Sequence, residues 1–425
     1  MPRWLYFLLI FAVLAPILEL LHVPPPVLFV VAALGIIPLA ALIGESVEGV
    51  AEHTGESIGG LLFATFGNAT EMIIGILALS QGLVDVVRAS IIGTILGNAL
   101  LVLGVSVCIG GVKHGRLRFA VRPASQYASL MALCVGGLLL PTLAELLASL
   151  EHQKQIIDRG VLLSDFIAVL LLIGYLASIL FSVFRVGDKG GGKEADQFEP
   201  LVGARSESAI ERLVSYRHHV AQSKKPGKTD VLQQIDSTVE AIKNHENKPE
   251  GKVALQSASA APQHTLHGGA HRKPPLWRSL SLLAVATAGV AIVSEILVGA
   301  IEPMTESLGW SPAFVGLVFV PLIGGLPEYF NTIKMALDRR IDMVLAAAAG
   351  SSIQIALLVA PILVLISIFM PKRLDLVFNI VELGVLGIAT FLFSEITKDG
   401  ELVWLEGLLL ILLYAIMGST VFLFG

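Results

Sequence analysis

Thr65-Phe66-Gly67-Asn68-Ala69-Thr70-Glu71 and Leu322-Ile323-Gly324-Gly325-Leu326-Pro327-Glu328 decide how this chain reads. Each places a glutamate deep in a long apolar segment, and the two stand at equivalent places in an internal repeat. A carboxylate at bilayer depth is costly and usually marks an ion or proton path. One in each repeat points to a transporter with its site at the repeat interface.

The repeat shows itself as one constant offset, that from Glu71 to Glu328. At that offset Gly59 meets Gly316, Gly67 meets Gly324, Ile76 meets Ile333 and Asp85 meets Asp342. Gly93-Thr94 meets Gly350-Ser351, Ala99-Leu100-Leu101-Val102 meets Ala356-Leu357-Leu358-Val359, and Glu45 meets Glu302. Apolar coincidences are easy; coincidences of Glu, Asp and Gly inside membrane segments are not.

The chain has 425 residues, of which 55% are hydrophobic and 15% charged. Its mean hydropathy is +0.79. A soluble domain rarely has this composition. Crossing the hydrocarbon layer takes about 20 apolar residues. Eleven runs qualify, near 4–21, 27–49, 57–80, 84–111, 125–149, 161–185, 277–300, 311–337, 341–369, 375–397 and 402–424. The first lacks a small-residue cleavage site and reads as a retained helix. The expected fold is an all-α polytopic membrane protein: a leader transmembrane helix in 1–26, a five-helix repeat in 27–186, a polar linker in 187–275 and a second five-helix repeat in 276–425. Five spans is an odd number, so the second copy crosses the membrane inverted. Cys108 and Cys134 fall in apolar runs, which offers no disulfide framework or thiolate metal site.

Lys and Arg of the short loops set the orientation. Arg3, Lys113, Arg116, Arg118, Arg122, Arg339, Arg340 and Lys398 share one side; Arg88, Lys154, Arg159, Lys372 and Arg373 share the other. The richer side is the cytoplasmic one, which places the N-terminus and the linker in the cytoplasm and suits a cell (inner) membrane. Within the linker, short helices are expected near 207–222 and 230–244. His218, His219, His245, His264, His267 and His271 fall in it, and metal sensing stands beside the plainer reading of a tether.

Asn68 and Glu71 are three apart and share a helix face. They offer an amide oxygen and a carboxylate, and hard cations such as Ca²⁺ want several oxygens, some charged. Glu71 and Glu328 together neutralise one divalent cation or carry two protons. Burial disfavours the bare carboxylate, so protons can take the place of a departing cation. Pro327 cannot donate to the Ile323 carbonyl, and a break in the helix through 321–330 would free that oxygen as a ligand. Thr94 and Asn98 in one following helix, and Ser351, Ser352 and Gln354 in the other, are further polar groups at this depth. Each can line the site or bond a neighbouring helix. Glu45 and Glu302 lie near helix ends, where an access path competes with plain interfacial solvation. Asp85 and Asp342 read as N-terminal caps.

Gly67-Asn68-Ala69-Thr70-Glu71 resembles the first signature of the Ca²⁺/H⁺ antiporter family, within the cation/Ca²⁺ exchanger superfamily. Gly93-Thr94-Ile95-Leu96-Gly97-Asn98 is similar to that family's fourth helix, and Gly350-Ser351-Ser352-Ile353-Gln354-Ile355-Ala356 resembles its ninth. The resemblance implies that Glu71 and Glu328 bind Ca²⁺ and H⁺ in turn, with Asn68, Ser351 and Gln354 lining the site and Glu45 and Glu302 on the access paths. It implies export of cytosolic Ca²⁺ against protons by alternating access. The second signature departs from the family's Gly-Asn-Ala-x-Glu: Gly325-Leu326-Pro327-Glu328 lacks the Asn and is closer to Na⁺/Ca²⁺ exchangers. Na⁺/Ca²⁺ exchange, or broader Na⁺ or K⁺/H⁺ exchange, is therefore the alternative. The family's central loop is often acidic, whereas here Lys and Arg slightly outnumber Asp and Glu in 187–275.

Other classes fit less well. No filter loop marks a channel, and no His-Glu-x-x-His motif, P-loop or nucleophile elbow marks an enzyme. Expected partners are Ca²⁺, protons and the lipid bilayer, with no cofactor and no nucleic acid; homo-oligomerisation is left open.

Overall fold

A computed structural model of the protein describes residues 3–54, 61–62, 65–150, 160–182 and 275–424. Helices expected within 207–222 and 230–244, and the six linker histidines, lie outside the described residues. The chain on either side of the linker folds into one unit. Its helices are α1 (Leu5–Leu20), α2 (Pro25–Thr54), α3 (Ala69–Ser80), α4 (Val84–His114), α5 (Val121–Leu150), α6 (Gly160–Ser182), α7 (Leu276–Leu308), α8 (Pro312–Leu337), α9 (Ile341–Phe369), α10 (Ile380–Ile396) and α11 (Trp404–Phe424).

Eight of these are long and apolar enough to cross a bilayer: α2, α4 to α9, and α11. Two of the eleven apolar runs form shorter helices: the helix of the leader run ends at Leu20, and α10 has 17 residues. In the run 57–80, which the structure describes in part, α3 covers Ala69–Ser80. Among the described residues, the one departure from an all-helical architecture is a two-residue antiparallel ladder. It pairs Leu117–Arg118 (β1) with Glu401–Leu402 (β2).

Local sequence sets several helix ends. α7 stops at Gly309, whose left-handed φ of 68° suits glycine and lets its N–H bond the Thr305 carbonyl. The Ser311 hydroxyl then accepts from the Phe314 N–H, and Pro312 opens α8 at the position where a missing N–H costs nothing. Asn379 and Glu382 form a reciprocal capping box at the start of α10. Asp85 and Asp342 do not cap their helices. Asp85 accepts from Arg88 at 3.0 Å, and Asp342 Oδ1 accepts from the Ala120 N–H at 2.7 Å. Both stand in the first turn, past the capping position, so their carboxylates are free to reach neighbours.

Irregular turns recur with the repeat. Part of α4, Gly97–Val102, is π-helical, and so is the matching part of α9, Ile355–Val359. A π turn adds a residue to the helical circuit and tends to sit at functional sites. The expected break at Pro327 is absent: the α-helix runs unbroken over Val320–Leu337. Proline there forfeits one hydrogen bond while keeping a helix-compatible φ, which the surrounding turns absorb. The chain is interrupted instead in the first signature. Gly67 and Asn68 form a turn, with Asn68 at φ −109° and ψ 23°, and α3 begins after them.

Glycine lets the two halves touch backbone to backbone. A Cβ on Gly93 would overlap the Leu317 carbonyl, and one on Gly316 would overlap that of Val86. α4 also meets α11 through small residues: a Cβ on Gly407 would lie 2.5 Å from the Cys108 nitrogen, and one on Gly111 2.6 Å from that of Trp404. The leader packs on α2 where Gly35 faces the Ala12 backbone. Cys134 is buried and Cys108 half-buried, both as free thiols.

The ends of the bundle are tied by polar contacts between the halves. At one end, His114 bonds the Leu337 carbonyl at 2.8 Å, Arg339 Nε donates to His114 Nδ1 at 3.2 Å, and Arg116 pairs with Glu401 at 2.8 Å. At the other end of α4, Arg88 pairs with Asp375 at 2.6 Å, and Arg373 donates to both Asp165 oxygens at 2.6 Å. The loop carrying Asp375 is stapled further. The Thr142 hydroxyl donates to the Leu376 carbonyl at 3.2 Å and accepts from the Phe378 N–H at 2.9 Å, while Ser164 accepts from the Leu376 N–H at 3.0 Å.

Two stability outcomes follow. Gly93→Ala lowers stability by about 1–3 kcal/mol because backbone must shift, whereas Gly350→Ala, with open space around it, leaves it unchanged. Thermal unfolding in detergent separates them. Thr142→Val strands the buried Leu376 carbonyl and Phe378 N–H and costs about 1–3 kcal/mol in the same assay.

Candidate functional site

The two signatures meet at mid-bundle. A Cβ on Gly324 would lie 2.7 Å from Glu71 Oε1, so the α8 backbone passes directly against the Glu71 carboxyl group. Only a glycine allows that approach without displacing the carboxylate. Glu71 stands in the first turn of α3, next to the Gly67–Asn68 turn, where the helix leaves N–H groups without intrahelical partners.

Each carboxylate has a different setting. Glu328 Oε1 accepts a 2.7 Å hydrogen bond from the Ser351 hydroxyl. Glu71 Oε2 is buried and has no hydrogen-bond partner among the described residues. As whole residues both are half-buried. Buried acceptors are nearly always satisfied, so an unpaired carboxylate oxygen marks a place that a proton or cation completes.

Asn68 and Gln354 are brought together across the repeats: Asn68 Nδ2 donates to Gln354 Oε1 at 2.7 Å. Asn68 is 1% exposed and its side chain does not cap α3. Its amide donor is committed to Gln354. Gln354 immediately precedes the π turn of α9.

Other polar groups named from the sequence are placed differently. The Thr94 hydroxyl donates to the Ser90 carbonyl of its own helix at 2.8 Å. The Ser352 hydroxyl bonds the Ala348 carbonyl at 2.9 Å and reaches the Ile95 carbonyl at 3.2 Å, a helix-to-helix contact. Asn98 is buried at 4% exposure on the π turn of α4. Glu45 lies on the exposed side of α2, where its carboxylate meets the Tyr6 hydroxyl of the leader helix. Glu302 is exposed near the end of α7.

Two side chains at this depth were not singled out in the sequence. Tyr329 follows Glu328 directly, and Tyr414 on α11 is 6% exposed with its hydroxyl unpaired among the described residues. The signal for Tyr329 was available: the repeat places Met72 at the matching position, so an aromatic hydroxyl is new in the second copy. Nothing in the sequence marks Tyr414, which is brought in by packing alone.

This arrangement has known relatives. The pattern of the family described as "Sodium/calcium exchanger protein" matches residues 25–184 and 278–423. The chain is 35% identical over 418 residues to a Ca(2+)/H(+) antiporter of Aphanothece halophytica, covering 98% of this chain and 95% of that protein. It is 31% identical over 425 residues to the Ca(2+)/H(+) antiporter ChaA of Bacillus subtilis, covering 99% of each. The solved structure of native YfkE superimposes with a TM-score of 0.69 at 28% identity, again over 99% of each chain. A match over most of the length, with both signatures inside it, assigns the family: the chain belongs to the Ca²⁺/H⁺ antiporters within the sodium/calcium exchanger superfamily, and it is an integral membrane transporter rather than an enzyme.

Proposed function

We propose that this protein exports cytosolic Ca²⁺ in exchange for protons by alternating access, with Glu71 and Glu328 holding Ca²⁺ and H⁺ in turn. The observation that carries the reading is the Glu71 carboxylate. One of its oxygens is buried without a partner, while its neighbours Asn68, Gln354 and the Ser351-bound Glu328 supply further oxygens. Two carboxylates and neutral oxygens suit a hard divalent cation. The full-length likeness to proteins named Ca(2+)/H(+) antiporter supports the same cargo.

The architecture behind the reading is a leader helix in 1–26 and two inverted five-helix repeats in 27–186 and 276–425. The linker and the N-terminus face the cytoplasm of a cell membrane, and eleven segments cross it. The recurrence of the π turns at the repeat offset favours this division. In the cycle, deprotonated Glu71 and Glu328 take Ca²⁺ from the cytosol. The halves rearrange, Ca²⁺ leaves outside, and protons neutralise both carboxylates for the return. With both carboxylates bare the return is slow, because two unpaired charges are expensive in a low-dielectric core. Ser351 holds Glu328 in its liganding orientation. Asn68 and Gln354 tie the first signature to α9, and Thr94 and Asn98 belong to the same polar layer. Glu45 and Glu302 stand at the mouths of the access paths.

A second reading is Na⁺-driven exchange, favoured by Gly325-Leu326-Pro327 in place of the family's Asn-containing signature. Reconstituted vesicles separate the two. With a pH gradient and no Na⁺, wild type accumulates Ca²⁺, and Glu71→Gln and Glu328→Gln each abolish it. Uptake that waits for a Na⁺ or K⁺ gradient transfers the protein to the second reading. Ser351→Ala raises the KM for Ca²⁺ roughly ten- to a hundredfold, the worth of a hydrogen bond to a charged group. Because the carboxylates must be deprotonated to bind the metal, the KM for Ca²⁺ also rises as pH falls on the loading side. Initial-rate measurements at several pH values check that sign.

A further inference from the structure

The two repeats close their signature helices with the same backbone turn but different residues. Gly82 follows α3 and Arg339 follows α8, and the two stand at the repeat offset from one another. Both are left-handed, with φ 76° at Gly82 and 59° at Arg339. The closing bonds match as well. The Leu83 N–H reaches the Ala78 carbonyl at 2.9 Å, and the Arg340 N–H reaches the Met335 carbonyl at 2.9 Å. Glycine takes this conformation freely, whereas a residue with a Cβ is strained in it. The backbone therefore gives no reason for arginine here, and the reason lies in its side chain.

That side chain ends on His114, the last residue of α4. Arg339 Nε donates to His114 Nδ1 at 3.2 Å, and His114 Nε2 bonds the Leu337 carbonyl, at the end of α8, at 2.8 Å. An arginine N–H only donates, so Nδ1 carries no proton; a carbonyl only accepts, so Nε2 carries one. Both contacts together require the neutral ring in a single tautomer. One turn earlier the same two helices touch closely: a Cβ on Gly110 would lie 3.0 Å from the Ala336 Cβ. The position matching His114 is Pro371, which has no group to offer, so the contact belongs to one repeat only.

We propose that neutral His114 is a positioning residue for transport: with Arg339 it latches the end of α8 to α4, and protonation of the ring opens the latch. The inference rests on Glu328 being a ligand of the transported cation, since α8 carries Glu328 about two and a half turns before Leu337. A protonated ring has no acceptor for Arg339 and sets one cation against another. The surrounding charge adds to that repulsion. Lys113 and Arg116 flank the ring in the chain, Lys334 and Asp338 close α8, and Arg340 and Asp342 open α9. Asp342 is engaged by the Ala120 N–H. On β2, Glu401 pairs with Arg116 at 2.8 Å and Arg118 at 3.8 Å, Lys398 before it pairs with Glu395, and Glu406 of α11 accepts from the Val403 N–H. Each of these carboxylates except Asp338 thus has a partner other than His114.

The test is the maximal rate of Ca²⁺ transport by the full-length protein in vesicles, at saturating Ca²⁺, with pH varied on the side of the turn between α8 and α9. Histidine is the side chain that changes charge between pH 5 and 8. Across that interval acid lowers the wild-type maximal rate about two- to tenfold, the worth of one hydrogen bond. His114→Gln keeps a donor and an acceptor but does not titrate, so its maximal rate stays level. Arg339→Gly copies the turn of the first repeat and is safe for folding; it starts from the lowered rate and loses no more. The rise of KM with acid, which comes from the carboxylates, remains in all three. A wild-type rate profile in His114→Gln or in Arg339→Gly overturns the proposal. Thermal unfolding in detergent reads the latch without transport. Its contribution is present at high pH and lost as pH falls, so acid lowers the unfolding midpoint further in wild type than in His114→Gln. Equal midpoints at every pH overturn the latch. Absence of proton-driven uptake, with the midpoints parting as expected, removes the exchange reading and leaves the latch standing.

Discussion

Two carboxylates must be held at bilayer depth, where hydrocarbon can solvate neither. Most of the interior follows from that constraint. α8 must pass close enough to α3 for oxygens from both halves to converge, and Gly324 removes the side chain that would block the approach. The Asn68–Gln354 and Ser351–Glu328 hydrogen bonds then connect the two signatures with the helices that follow them. Farther out, Gly93 and Gly316 bring the backbones of α4 and α8 into contact. Close small-residue packing is what holds helices together when the surrounding lipid is as apolar as their side chains.

The repeat is a scaffold rather than a copied site. In the first half the chain breaks at Gly67–Asn68, and the glutamate follows at a helix start. In the second half the helix runs through Pro327 and the glutamate stands in its middle. One glutamate has a hydroxyl donor on it and the other keeps an unpaired oxygen. Such inequality gives two groups at matched positions different surroundings. In the proposed cycle the two act together on the metal without being identical toward protons.

The ends of the bundle have a different role from its middle. The Arg88–Asp375 and Arg373–Asp165 pairs and the bonds of Thr142 and Ser164 fasten the loop between α9 and α10 to helices of the first half. At the opposite end, β1 and β2 with Arg116–Glu401 fasten the loop after α4 to the one before α11. Each contact joins parts of the two halves far apart in sequence. They bind much of the bundle into a frame against which any rearrangement of the remaining helices must occur.

Much of the plan was legible in the chain. Apolar runs separated by short charged loops specify membrane helices, because only a long apolar helix satisfies its backbone in lipid. The offset from Glu71 to Glu328 carried the repeat and singled out both glutamates, because charge in such segments is rare unless it is used. Sequence was less able to say how each polar group is spent. Thr94 bonds its own helix and Ser352 a neighbouring carbonyl, while Ser351 beside it reaches Glu328. A hydroxyl's partner depends on which helix faces it, and a shift of one residue rotates it by about 100°. The placing of the helix break, expected at Pro327 and found at Gly67–Asn68, likewise depends on whether surrounding turns can absorb a lost bond. By itself the sequence determined the class of fold, the repeat and the two carboxylates, since those rest on local hydrophobicity and the cost of buried charge. Only tertiary structure decided the Asn68–Gln354 pairing and the approach of Gly324 to Glu71, since each requires helices distant in sequence to cross at one fixed register.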